Sequence, residues 1–210
     1  FLQFFVWGAW LITIGVYWFQ NKGWSGNDFG AVFSTLGISS LIMPALTGII
    51  ADKWLNVEKL YGVLHILFGA IFLYLPQVND PNEFFWIILA AMFCYMPTIA
   101  LSNSIAYTIL EKSKLDVVKV FPPIRVWGTI GFIAAMWVTN LSGNKASEGQ
   151  FYLSAIAAFA LGIYAFTLPA CPPLRSKSEK STLAGQLGLK AFKLFANYKM
   201  ALFFVFSMFL

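Results

Sequence analysis

Residues 121–140 read FPPIRVWGTIGFIAAMWVTN, a stretch with one charged residue, Arg125. A block of that length and polarity can cross the hydrocarbon core of a bilayer as a helix. A permanent guanidinium cation inside it is costly unless it finds a partner or a water-filled cavity, so Arg125 marks a candidate site. On a helix, Thr129 and Phe132 follow on the same face, four and seven residues further on. A cation, a hydroxyl and an aromatic ring in one row suit a polar, partly aromatic organic solute. The alternative is that Arg125, two residues after Pro123 and near one end of the block, snorkels toward headgroups.

The rest of the chain agrees with a membrane setting. Hydrophobic residues make up 59% of the 210 and charged residues 11%, with a mean hydropathy of +0.73. Soluble domains carry about 25% charge. The apolar residues fall into six long blocks, 1–20, 29–50, 60–78, 84–110, 121–140 and 151–170. Each is expected to be helical, because in lipid the backbone must satisfy its own hydrogen bonds. Pro97, inside the fourth block, predicts a kink or tilt. A seventh apolar run, ALFFVFSMFL at 201–210, stops short of the roughly 20 residues a span needs. The chain also starts at Phe1, inside an apolar run. The expected class is therefore an all-α membrane protein, cut at both ends: a six-helix bundle over 1–170, a linker over 171–200 and the start of a seventh helix over 201–210.

Charge sets the orientation. Of the fourteen Lys and Arg, only Lys22 and Lys145 fall in the connections on one side. Eleven fall on the other side, which the positive-inside rule makes cytoplasmic, together with the beginning of the chain. The basic balance thus reports topology and does not point to nucleic acid. The linker carries Pro172, Pro173 and a basic run from Arg175 to Lys180. Within it, 187–194 fits either a short surface helix or a solvated tether. The two cysteines, Cys94 and Cys171, form no disulfide framework, and the single histidine, His65, has no metal-ligand companions. No cofactor or metal site is expected. No nucleophile–base pair or phosphate-binding loop points to an enzyme.

After the second block comes GIIADKW at 48–54. It resembles the loop between the second and third helices of the major facilitator superfamily. Gly48 and Ala51 would allow close helix packing, and Asp52, beside Lys53, would accept hydrogen bonds that hold one conformation shut. The resemblance narrows with FLQFFVWGAW at 1–10, MPALTGIIADKWL at 43–55, YMPT at 95–98 and FPPIRVWGTIGF at 121–132. Together these are similar to the nucleoside:proton symporters of that superfamily, over nearly the whole chain. The resemblance implies half of a twelve-helix bacterial inner-membrane carrier, importing nucleosides by alternating access with protons. The other half of the same chain and the lipid bilayer would be its partners.

The resemblance places the substrate site between the halves, and carried over it implicates Arg125, Thr129 and Phe132. Guanidinium and hydroxyl suit ribose hydroxyls and base acceptors, and a ring suits a base face. Asn103 and Tyr107, four apart, form a polar face on the fourth helix that could line the cavity or merely hold the bundle together. In the first helix Gln3, Trp10, Thr13 and Tyr17 offer polar and aromatic pairs, of which Trp10 and Thr13 are candidate substrate contacts. Trp7 and Trp18 could be interface anchors. His65 could relay protons or simply pack. All nine carboxylates lie in connections or at helix ends, so any embedded proton carrier is expected in the absent half. A related carrier for sugars is the nearest alternative. A structural or channel-forming bundle is the alternative from another class.

Overall fold

The computed structural model describes residues 1–173 and 196–202, which are helical apart from short connections, with no strand among them. The elements are α1 (Leu2–Gly8), α2 (Ile14–Val16), α3 (Gly26–Lys53), α4 (Val57–Tyr74), α5 (Pro81–Lys112), α6 (Val117–Leu141) and α7 (Gly149–Ala165). Four helices, Gly26–Lys53, Val57–Gln77, Pro81–Lys112 and Val117–Leu141, are long and apolar enough to cross a membrane, and α7 is a shorter apolar helix. The surface helix considered for 187–194 and most of the linker and seventh run lie outside the described residues.

Local chemistry starts three of the four long helices, α3, α5 and α6. Ser25 accepts a hydrogen bond from the Asp28 amide (3.2 Å) at α3, and Asp80 from the Glu83 amide (2.9 Å) at α5. Asp116 accepts from the Val118 amide (3.0 Å) at α6. These side-chain oxygens satisfy amides that have no partner within the helix. The Asp116 cap starts α6 four residues before the block drawn from hydropathy, which sets Pro122 and Pro123 inside the helix. Pro44 and Pro97 are likewise accommodated without interrupting α3 or α5.

The first block departs most from expectation. In place of one helix over 1–20, α1 ends at Gly8 and residues 9–13 are irregular. Then come α2 and a π-helical segment, Tyr17–Asn21. The freed carbonyls are caught by distant hydroxyls. Thr139 on α6 donates to the Ala9 carbonyl (2.9 Å) and Ser154 on α7 to the Val6 carbonyl (2.7 Å). An interrupted helix is tolerated at such depth only where protein groups re-satisfy the backbone. Thr139→Val should therefore destabilise the protein by about 1 kcal/mol, the usual worth of one such bond in a membrane bundle. Thermal unfolding in detergent is the measurement.

Packing follows the glycines. α1 lies on α6, where a Cβ built on Gly8 would come within 2.5 Å of the Phe132 carbonyl oxygen. α4 lies on α7, where one on Gly62 would come within 2.9 Å of the Gly162 carbonyl oxygen. Small residues of this kind let helix backbones approach closely in the absence of a hydrophobic driving force. The core between them is aromatic: Trp10, Tyr17, Trp18, Phe68, Phe72, Phe84, Tyr95 and Phe151 are all buried. Trp18 is not an interface anchor. It packs on Trp24 (4.6 Å) and Phe84 (5.4 Å), and its indole N–H donates to the Ser25 carbonyl (2.9 Å). Trp7 too packs inward, against Tyr95 (5.9 Å). His65 is fully buried on the Tyr61 ring (4.4 Å), with Nδ1 3.0 Å from the Tyr61 carbonyl.

One carboxylate is buried after all. Glu58, at the start of α4, is 3% exposed. It accepts hydrogen bonds from the Cys171 amide (2.8 Å) and the Asn56 side chain (3.0 Å), while the Val57 amide donates to the Cys171 carbonyl (3.0 Å). This clamp ties the chain beyond α7 to the start of α4. Burial first, then the negative charge of Glu58, hold the Cys171 thiol above its ordinary value of 9.0. Thiolate is the reactive form, so alkylation of Cys171 should be slow at pH 8 and accelerate only at higher pH. Glu58→Gln should speed it, as a timed maleimide assay would record.

Candidate functional site

The α6 cap at Asp116 and the two following turns bring Arg125 to a cavity of about 350 Å³. Among its lining residues are Gln3, Phe4, Tyr61, Asn103, Phe121 and Arg125, from four different helices. The guanidinium lies 4.2 Å from the centre of the Phe4 ring, a cation–π contact. Among the described residues the one ion pair is Lys119–Asp116, so Arg125 has no carboxylate partner there. Its side chain is exposed rather than folded into the bundle. Its guanidinium thus lies at the cavity over the Phe4 ring, without a carboxylate partner among the described residues.

The residues singled out from the sequence separate into groups. Asn103 shares the cavity of about 350 Å³ with Arg125. Thr129 is exposed one turn further along α6 and lines a neighbouring groove with Arg125 and Phe121. Phe132 turns toward α1 and meets Trp7 edge-to-face at 6.3 Å. Arg125 and Phe132 thus both meet α1, at Phe4 and Trp7, while Thr129 is exposed beside Arg125. Tyr107 stacks edge-on against Phe121 at 4.6 Å and is partly exposed. Trp10 is 2% exposed and sits against Phe72 (5.3 Å). Thr13 is also buried and donates to Gln150 Oε1 (2.9 Å), whose own amide nitrogen donates to the Ser147 carbonyl (3.0 Å). Neither Trp10 nor Thr13 lines the cavity.

A polar cluster behind the cavity was not drawn from the sequence. Tyr61 donates to Gln3 Oε1 (2.7 Å), Gln3 Nε2 donates to Thr98 Oγ1 (2.8 Å), and Tyr95 donates to the Gln3 carbonyl (2.6 Å). The signals available were Gln3, an amide within an apolar run, and the YMPT segment at 95–98 that holds Tyr95 and Thr98.

The segment at 48–53 also differs from a loop. Gly48, Asp52 and Lys53 belong to the last turns of α3, and the connection to α4 is only Trp54, Leu55 and Asn56. Ala51 is packed, but a Cβ on Gly48 would meet nothing within 4 Å among the described residues. Asp52 lines a smaller cavity of about 160 Å³ with Thr47, Ser104 and Thr108.

Comparison with known proteins places this arrangement. A family model described as "Nucleoside H+ symporter" matches residues 1–210. The xanthosine permease of Escherichia coli (strain K12) is 46% identical over 210 residues, covering 100% of this chain and 50% of that protein. The nucleoside permease NupG of the same organism is 47% identical over 211 residues, with the same coverage. The crystal structure of a mutant of the nucleoside transporter NupG superposes with a TM-score of 0.87 at 45% identity. That match covers 99% of this chain and 51% of the crystallised one. This chain spans about half the length of the curated relatives it matches.

Proposed function

Because this chain belongs to the nucleoside H+ symporter family, we propose that the protein it forms part of imports purine and pyrimidine nucleosides together with protons. In this reading residues 1–170 are the N-terminal six-span half, 171–200 the linker and 201–210 the start of the seventh span. The observation that carries the site is Arg125: a cation without a carboxylate partner among the described residues, beside Asn103 on a cavity of about 350 Å³.

The chemistry follows from the geometry. Guanidinium donors bind ribose hydroxyls or base carbonyls, and the Asn103 amide can donate and accept. Thr129 adds a hydroxyl from the adjoining groove, and Phe132 and Tyr107 offer ring faces at its margins. Trp10 and Thr13 lie deeper, next to the interruption of the first span. Their contribution would require that segment to rearrange between inward- and outward-facing states. Gly48, Asp52 and Lys53 would act at the cytoplasmic end of α3, where Asp52 can hold a contact with the other half in one state.

The remaining half is expected on the open faces of this one. Gly26, Gly30, Gly37 and Gly48, all on α3, have nothing within 4 Å of a built Cβ among the described residues. The proton carrier is assigned to that half too. Glu58 is the one buried carboxylate among the described residues, and it sits at a helix start with both oxygens engaged. The eleven-to-two bias of basic residues supports a cytoplasmic N-terminus in a bacterial inner membrane.

Uptake of radiolabelled uridine by cells expressing the full-length protein tests the proposal. Accumulation that a protonophore abolishes, that adenosine competes away and that lactose leaves untouched is expected. Absence of uridine uptake with the protein in the membrane would overturn the substrate assignment. A sugar cargo is not favoured by the family.

A further inference from the structure

We propose that Gln3 is a specificity-determining residue of the cavity, presenting a fixed donor–acceptor edge to the base of the bound nucleoside. The inference rests on the nucleoside reading above and adds a residue to its site. Gln3 lines the cavity with Arg125 and Asn103, yet it is only 6% exposed. Its amide orientation is set by its neighbours. The Thr98 hydroxyl spends its one proton on the Tyr95 carbonyl (2.6 Å), so its oxygen must accept, and Gln3 Nε2 donates to it (2.8 Å). Gln3 Oε1 then faces Tyr61, whose hydroxyl donates to it (2.7 Å). The Tyr95 hydroxyl holds the Gln3 main chain as well (2.6 Å).

A carboxamide carries two N–H groups and two oxygen lone pairs. Tyr61 and Thr98 use one of each, leaving one donor and one acceptor on a group whose orientation they fix. An N–H beside an acceptor is the pattern along the pairing edge of a nucleobase, which proteins read by hydrogen bonds to that edge. Arg125 and Gln3 then grip different polar groups of one solute. Tyr61 and Thr98 are positioning residues that act through Gln3. A site built to satisfy a polar edge rejects an analogue that lacks it far more strongly than an apolar wall does.

The test is the ratio of KM for 3-methyluridine, in which the base N–H is blocked, to KM for uridine, measured with the full-length protein in proteoliposomes. The wild type should favour uridine by about tenfold or more, as one lost hydrogen bond to a built site implies. Gln3→Leu should bring the ratio close to one by raising KM for uridine alone. An unchanged ratio, an equal rise for both solutes, which marks a merely structural bridge, or a wild-type ratio near one would each overturn the proposal. Should Gln3→Leu fail to reach the membrane, Tyr61→Phe frees the amide while leaving it in place. A reduced ratio in that variant supports the assignment and an unchanged one overturns it. Wild-type protein that transports neither solute defeats the nucleoside reading itself, an outcome distinct from loss of selectivity in the variants.

Discussion

Arg125→Ala in the full-length protein is expected to reduce nucleoside uptake at least about a hundredfold while leaving the protein folded in the membrane. Hydrogen bonds made by a charged group are worth roughly 1.5–3 kcal/mol each, and a guanidinium can make several. Folding should be spared for a structural reason. Among the described residues Arg125 has no carboxylate partner, so its removal orphans no buried charge. Among the described residues the interaction lost is the cation–π contact with Phe4, worth about 0.5–1 kcal/mol at an exposed position. Arg125→Lys keeps the charge but not the planar fork and should be intermediate. Initial rates of uridine uptake, normalised to membrane-inserted protein, decide the matter. Wild-type rates from Arg125→Ala would remove the residue from the site and return it to snorkelling.

Gly8→Ala should strongly reduce the stability of the described bundle. Its new methyl would sit 2.5 Å from the Phe132 carbonyl oxygen and 2.9 Å from Phe132 Cα. Both are backbone atoms of a helix, so neither can rotate aside. Either α1 lifts away from α6 or both helices distort, at a cost of about 1–3 kcal/mol or more. Lifting α1 also pulls Trp7 from Phe132 and the Ala9 carbonyl from Thr139, so uptake should fall with stability. Gly15→Ala is the control: among the described residues a Cβ there meets a ring atom of Phe29 at 3.4 Å, an ordinary van der Waals contact. A melting temperature for Gly8→Ala equal to that of the control would mean that α1 and α6 do not approach as closely as described.

Much of this protein is decided by its sequence alone. Block lengths and the scarcity of charge make it a polytopic helical membrane protein, because lipid cannot satisfy a bare backbone. The distribution of lysines is the basis for the proposed orientation, and the segments around 48–54 and 121–132 carry the family. Arg125 stands out on energetic grounds before any coordinates, since a cation in an apolar span demands an explanation. All of these are properties of one segment at a time, which hydropathy and spacing report.

The tertiary structure decides what depends on partners far along the chain. The first span is apolar and reads as a continuous helix. Where it is interrupted, Thr139, 130 residues away, and Ser154, 148 residues away, supply hydrogen bonds to its carbonyls. Trp10 and Thr13 look available on a helical face, and packing from α4 and α7 encloses them. Glu58 reads as a loop-proximal surface carboxylate until the Cys171 amide folds back onto it. Gln3 is visible as an isolated amide, but its orientation is set by Tyr61 and Thr98, from two other helices. Local sequence fixes how each segment meets lipid. Which polar group meets which is settled only when the helices pack, because a hydrogen bond needs both partners within about 3 Å of each other.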